Sequence, residues 1–251
     1  VFTDVNGKEH ILIEKNKERG LPIASLTKLM VVLVASDVYK PNDIVVVSDN
    51  SLDSKGVSDN YVVGDSFYFQ DALHALLIGS HNEIATAMAE RIGVEAFVER
   101  MNKRAEELDL DNTHFVNVTG LDPEKGNEEI NYSTALDVGK LLKYIFENRS
   151  DIFSVLGKSE YTLADISGLP KMTIKTTDEL ITGQDVPLQV FGGKTGETPR
   201  AKLNLAIVSD SPARGRIVSV VIGSKNHFLE MRELLKYVKD SFVWKLISQL
   251  S

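Results

Sequence analysis

The chain has 251 residues, 43% of them apolar and 25% charged, with a formal net charge of −8. That is the make-up of a soluble globular protein with room for one large domain or two small lobes, and the acidic balance argues against a nucleic-acid partner. There are no cysteines and the five histidines are scattered, which excludes disulfides, thiolate catalysis and thiolate-bound zinc; neither metal nor cofactor is expected.

The sequence opens at Val1 inside strand-like residues, without an initiator methionine or signal segment, and reads as a processed or trimmed chain. Asn6-Gly7 between apolar-bearing flanks predicts a hairpin over 1–14. A polar connector over 15–20 leads into Pro22-Ile23-Ala24-Ser25-Leu26-Thr27-Lys28-Leu29-Met30. There a turn gives way to a helix running to about Val38. Apolar residues surround that helix axis, so it is expected to be central and buried. The longest apolar run, 29–35, is far too short to cross a bilayer.

Short extended pieces follow at 43–47 and 66–69. From Asp71 the period is helical, with a stripe of Leu73, Leu76 and Leu77. Gly79-Ser80-His81-Asn82 interrupts it and Ile84 resumes it, which predicts two helices joined by a tight corner. A helix over 94–108, a loop over 112–131 and a helix capped by Ser133-Thr134 come next. A strand over 187–191 runs into Gly192-Gly193-Lys194-Thr195-Gly196. Strands at 203–208 and 217–222 precede helix-spaced apolar residues from Leu234 to Ile247. The expected fold is α/β of the α+β type in a single domain. Its antiparallel sheet comes from both chain ends (about 1–24 and 185–251), flanked by helices, with a largely helical insertion over about 40–150.

Three motifs carry chemistry. Ser25 and Lys28 stand at i and i+3, on one face of a helix start. A desolvated, neutral Lys28 would accept the Ser25 proton and make the serine nucleophilic. By itself such a pair occurs about once by chance in a chain of this length. The second motif is Ser80-His81-Asn82. Ser48-Asp49-Asn50, Ser58-Asp59-Asn60 and Ser224-Lys225-Asn226 share its pattern, and the first two of these sit in polar turns where such residues cap backbone. Ser80 stands instead at a corner between apolar helices. The third, Lys194-Thr195-Gly196, is expected at a strand end, where a lysine and a hydroxyl suit a carboxylate; it arises by chance in fewer than roughly one chain in ten of this size.

Ser-x-x-Lys, Ser-x-Asn and Lys-Thr-Gly in that order form the signature set of penicillin-binding proteins and β-lactamases. The chain resembles the low-molecular-mass penicillin-binding proteins of the D-alanyl-D-alanine carboxypeptidase type, which are serine peptidases. Supporting stretches are 23–30, 97–120, 132–137 and 193–198, and Arg232-Glu233-Leu234-Leu235 resembles the opening of that family's final helix. The resemblance implies a β-lactamase/transpeptidase-like fold, with Ser25 as nucleophile, Lys28 as general base and Ser80 as proton relay. It further implies that Asn82 holds the peptide and that Lys194, Thr195 and Gly196 bind the terminal carboxylate, with Arg232 as a further binding residue. The backbone N–H groups of Ser25 and Glu197 would form the oxyanion hole.

The implied partners are peptidoglycan stem peptides, with β-lactams as covalent inhibitors, outside the cytoplasmic membrane. Any membrane association would come through segments absent from this sequence. Departures from the family pattern are His81 in place of Gly, Asn131 in place of His, and Lys202 in place of a Gly after Glu197-Thr198-Pro199-Arg200-Ala201. A β-lactamase, a DD-endopeptidase and a non-catalytic β-lactam- or wall-binding module are the rival readings. The first lacks its Glu-x-x-Leu-Asn, although Glu124, Glu128 and Glu129 lie in a loop.

Overall fold

The computed structural model describes residues 2–3, 8–54, 61–126, 128–213 and 215–244. The first half of the chain forms β1 (Phe2–Thr3), β2 (Glu9–His10), β3 (Leu21–Pro22), a 3₁₀ turn (Ala24–Thr27) and α1 (Lys28–Val38). It continues through β4 (Ile44–Val46), α2 (Asp49–Leu52), β5 (Ser66–Tyr68), α3 (Phe69–Leu77), α4 (Asn82–Ala89) and α5 (Val94–Glu107). The second half holds β6 (Tyr132–Ser133), α6 (Ala135–Asn148), α7 (Ser150–Leu156), β7 (Glu160–Ala164), β8 (Pro170–Lys175) and α8 (Glu179–Thr182). Last come β9 (Val190–Thr198), β10 (Lys202–Asp210), β11 (Arg216–Ser224) and α9 (His227–Ser241).

The principal sheet is antiparallel in the order β2-β1-β11-β10-β9, so both ends of the chain build it. Side chains alternate between its faces. Leu205 and Ile207 join Met231, Leu235 and Val238 of α9 in one core, while Ala206 and Val208 join the helices in the other. That second core is centred on α1, which is buried from Leu29 through Ala35. A helix apolar on all sides has to lie inside, and each fully buried Leu, Val or Met there contributes about 1.5–3 kcal/mol. The Thr134 hydroxyl caps α6 by accepting from Asp137 N, and α6 lies against β10 and β11. Among the described residues no helix is long and apolar enough to cross a membrane.

Several elements differ from the sequence reading. Lys194-Thr195-Gly196 lies inside β9, paired with β10 as far as Thr198, not at a strand end. The segment 149–186, for which no regular pattern was predicted, holds α7, the β7–β8 hairpin and α8. The last helix starts at His227, capped by the Asn226 side chain on Leu229 N, so Arg232 stands in its second turn. Phe69, expected as extended, begins α3. The Asn6-Gly7 turn lies outside the described residues, but Phe2 and Thr3 pair with His10 and Glu9 as a hairpin would.

The β9–β10 connection brings Lys202 to a φ of 59°, left-handed space that costs a side chain about 1–2 kcal/mol. Lys202→Gly relieves that strain, offset in part by glycine's larger unfolded-state entropy. Thermal denaturation should show the variant more stable by roughly 0.5–1 kcal/mol, a rise of about 1–4 °C for a chain of this size.

Candidate active site

The Ser25 turn is clamped from two sides. Ala24 sits at a φ of 47°, and the loop after α5 presses on it at Gly120, whose own φ is 82°. A Cβ at Gly120 would fall 2.0 Å from the Ala24 carbonyl oxygen. From the other side comes β9, which is the edge strand of the sheet among the described residues. A Cβ at Gly196 would lie 2.9 Å from Ile23 O and 3.0 Å from Ser25 N. Glycine is what lets strand and loop close on the nucleophile turn.

Lys28, the first residue of α1, is fully buried. Its Nζ lies 2.8 Å from Ser25 Oγ, 2.6 Å from Asn82 Oδ1 and 2.8 Å from the Thr119 carbonyl oxygen. Burial holds its pKa well below the ordinary lysine value; the charge of Lys194 pushes the same way and Glu83 opposes. A neutral amine has two N–H donors and one lone pair. Asn82 and Thr119 accept the two, which leaves the lone pair for the Ser25 O–H. Such an arrangement fits a general base.

The Thr119 carbonyl is itself held in place. Asn117 Oδ1 accepts from Thr119 N at 3.1 Å and Gly120 N at 2.7 Å. Asn131, fully buried, donates from Nδ2 to Thr27 Oγ1 and Asn117 O, both at 2.9 Å, and accepts from Val116 N at 2.7 Å. The loop and the Ser25 turn are thus tied through one amide.

Ser80 occupies the corner between α3 and α4 at a φ of 62°. Lys194 Nζ donates to Ser80 Oγ and to Thr195 O, both at 2.9 Å, and is 1% exposed. Burial pushes Lys194 down to about 7, while the charge of Asp178 acts in the opposite direction. Thr195 Oγ1 shares a 2.5 Å hydrogen bond with Thr177 Oγ1. Glu197 follows Gly196 with its side chain exposed. Arg232, on α9, is committed to Glu179 at 2.7 Å and does not stand free in the cleft.

His81 follows Ser80 at the corner, close enough to Lys28 and Lys194 for both charges to act on it. Its Nδ1 is 2.6 Å from the Tyr61 hydroxyl, and burial, with the charges of Lys28 and Lys194, lowers it to about 4. Burial also pushes the Tyr61 phenol upward. Both partners of this hydrogen bond are thus in their neutral forms.

One constellation brings together Ser25, Lys28, Ser80, Asn82, Lys194, Thr195 and Gly196. The rival Ser-x-Asn sites do other work: Ser48 caps α2 in a capping box and Ser224 accepts from Asn226 N, while 58–60 lies outside the described residues. Sequence reasoning gave no role to Asn117 or Thr177, because what they hold in place, the Thr119 carbonyl at Lys28 and the Thr195 hydroxyl, is brought to the site by the fold. The Asn-Val-Thr-Gly run at 117–120, a turn-forming composition, was the one local signal.

Fold and site define the class first: a helical body on an antiparallel sheet, with a hydrogen-bonded serine–lysine pair at their junction, is the penicillin-binding architecture. The crystal structure of the Streptomyces K15 DD-transpeptidase has the same fold, with a TM-score of 0.79 over 94% of this chain and 95% of that one at 22% identity. The chain belongs to the D-alanyl-D-alanine carboxypeptidase family, whose profile matches residues 1–226. The D-alanyl-D-alanine carboxypeptidase DacF of Bacillus subtilis is 33% identical over 221 residues, which make up 85% of this chain and 54% of that protein. A D-alanyl-D-alanine endopeptidase of Pseudomonas aeruginosa is 29% identical over 251 residues, 97% of this chain and 77% of the relative. The chain thus spans about half the length of the Bacillus relative.

With Lys28 as base and Lys194 as cation, acylation of Ser25 by a chromogenic β-lactam should gain from the loss of the Lys28 proton and fall as Lys194 loses its own near pH 7. Stopped-flow rates from about pH 5 to about pH 10 check this. Lys194→Arg, whose charge does not titrate in that range, should lose the upper limb. A rate in the unmutated protein that climbs on without turning down would reject the need for a charged Lys194.

Proposed function

We propose that this chain is the catalytic portion of a serine-type D-Ala-D-Ala carboxypeptidase that trims peptidoglycan stem peptides outside the cytoplasmic membrane. The observation that carries the reading is the 2.8 Å approach of a fully buried Lys28 Nζ to Ser25 Oγ, with its other donors taken by Asn82 and Thr119. Family membership supports it.

In this reading Lys28 takes the hydroxyl proton and Ser25 Oγ attacks the carbonyl carbon of the penultimate D-Ala. Backbone N–H groups of Ser25 and Glu197 stabilise the oxyanion. The C–N bond then breaks, Ser80 relays a proton to the departing amine, and an ester remains on Ser25. Water attacks that ester, the Oγ–carbonyl bond breaks and the serine regains its proton. Lys194 and Thr195 hold the terminal carboxylate, Gly196 leaves room for it, and Asn82 holds the peptide. Arg232 acts from the rim through its pairing with Glu179. A β-lactam would acylate Ser25 by opening its ring amide.

The relative from Pseudomonas supports a second reading, DD-endopeptidase, which is the same chemistry on a cross-linked substrate. A β-lactamase would need a carboxylate to activate the deacylating water; Glu124, Glu128 and Glu129 have exposed side chains on the loop, so a long-lived penicilloyl adduct is expected.

Labelled penicillin, a D-Ala-D-Ala-terminated peptide and a cross-linked muropeptide dimer test these readings side by side. D-Ala release and a Ser25 adduct are expected, and both should vanish in Ser25→Ala. Lys28→Ala should lower acylation by about 10²–10⁴-fold with the fold retained. Absence of both adduct and D-Ala release in the unmutated protein would sink the reading, and cleavage of the dimer alone would move it to endopeptidase.

A further inference from the structure

Thr177 stands in the short link between β8 and α8, and none of the steps above uses it. It touches both walls of the cleft. Its N–H donates to the Ile78 carbonyl at 3.2 Å, just before the Ser80 corner. Its hydroxyl lies 2.5 Å from the Thr195 hydroxyl on β9. The backbone on either side is fixed. Thr176 N donates to Ser159 O at 2.8 Å, and Thr176 Oγ1 accepts from Asp178 N at 3.1 Å. Asp178 in turn caps α8 by accepting from Leu180 N at 3.0 Å. Thr177 thus meets Thr195 from a held position, and the exposed hydroxyl pair is open to a ligand.

A hydroxyl has one O–H to donate, and a carboxylate has none. If Thr195 gave its proton to Thr177, it would turn a lone pair toward an incoming carboxylate. If Thr177 donates, the Thr195 proton is left for the substrate, and the two bonds in series strengthen each other. Other donors nearby are already engaged. Lys194 Nζ donates to Ser80 Oγ and to Thr195 O, and Arg232 is paired with Glu179. The direction of the Thr177–Thr195 bond therefore bears on what the site accepts.

We propose that Thr177 is a positioning residue for substrate selection. Its hydroxyl donates to Thr195 Oγ1 and so presents the Thr195 proton to the terminal carboxylate of a peptide or β-lactam. The inference rests on Thr195 holding that carboxylate, as in the reaction proposed above. It makes a free carboxylate, an acceptor on every lone pair, the group this site demands. An ester in its place lacks the charge that strengthens such a hydrogen bond.

Acylation of Ser25 by a penicillin and, in parallel, by its methyl ester tests this. The unmutated protein should prefer the free acid. Thr177→Val keeps the shape and the backbone N–H and removes the hydroxyl. The acid-to-ester ratio of second-order acylation rates should fall roughly tenfold, as for one lost hydrogen bond to a charged group. Thr177→Ser should restore the ratio. A ratio unmoved in Thr177→Val, whether both rates hold or both fall, overturns the proposal and leaves Thr177 a structural link. Should the valine variant not fold, Thr177→Ala is read by the same ratio. Thr195→Val separates the inference from its premise. If the ratio survives there, Thr195 does not hold the carboxylate and the inference falls with it. If the ratio is lost there but kept in Thr177→Val, the role of Thr177 alone is overturned. No adduct with either compound in the unmutated protein overturns the function and this role together.

Discussion

Two lysines buried within one cleft are the constraint around which the rest is arranged. Neither Lys28 nor Lys194 reaches water, and two ammonium ions in a dry interior repel each other while each forgoes hydration. The site resolves the conflict by asymmetry. Lys28 meets two neutral acceptors and a hydroxyl, an environment that suits a free amine. Lys194 keeps a carboxylate in its neighbourhood, which opposes its desolvation. One lysine is left nearer the free amine and the other nearer the charged form, from the same residue type.

Holding that asymmetry requires walls that do not give. The Ser25 turn is the meeting point of the edge strand, the Gly120 loop and α1, and backbone approaches backbone there more closely than any side chain permits. Two residues at the centre, Ala24 and Ser80, are held in left-handed conformations that non-glycine residues avoid. Such strain persists where the surroundings over-determine it. Here the surroundings are the Asn117–Asn131 hydrogen bonds on one side and the apolar core beneath α1 and α3 on the other.

What could be read from the sequence follows from this geometry. Ser25 and Lys28 were legible because the helix start itself makes them neighbours, and Lys194-Thr195-Gly196 because its residues share one strand. Asn117 and Thr177 were not, since Asn117 matters through the Thr119 carbonyl it holds, which meets Lys28 from far away in the chain, and Thr177 through Thr195 on β9. The segment 149–186 hid its elements for a different reason. Its helices are two turns or fewer, and its hairpin, Glu160–Ala164 with Pro170–Lys175, is half exposed, too short for period 2 to stand out. The sheet built from both termini was readable from its β-rich runs. That Lys194 sits within a strand and not at its end follows from the ladder to β10, which continues through Thr198.

The departures from the family pattern divide by location. A histidine at position 81 puts a third basic group beside two lysines, yet burial and the charges of those lysines favour its neutral form. Asn131 meets its surroundings with its own amide, giving and accepting across the loop and the Ser25 turn. Both changes are absorbed by local hydrogen bonds and leave the reacting atoms where they are. Lys202 differs in kind: like its neighbours Glu197 and Arg200 it is exposed on the strand and turn just past Gly196. The departure that changes exposed charge is therefore the one just past Gly196, and the buried contacts of Lys28 and Lys194 are untouched by any of the three.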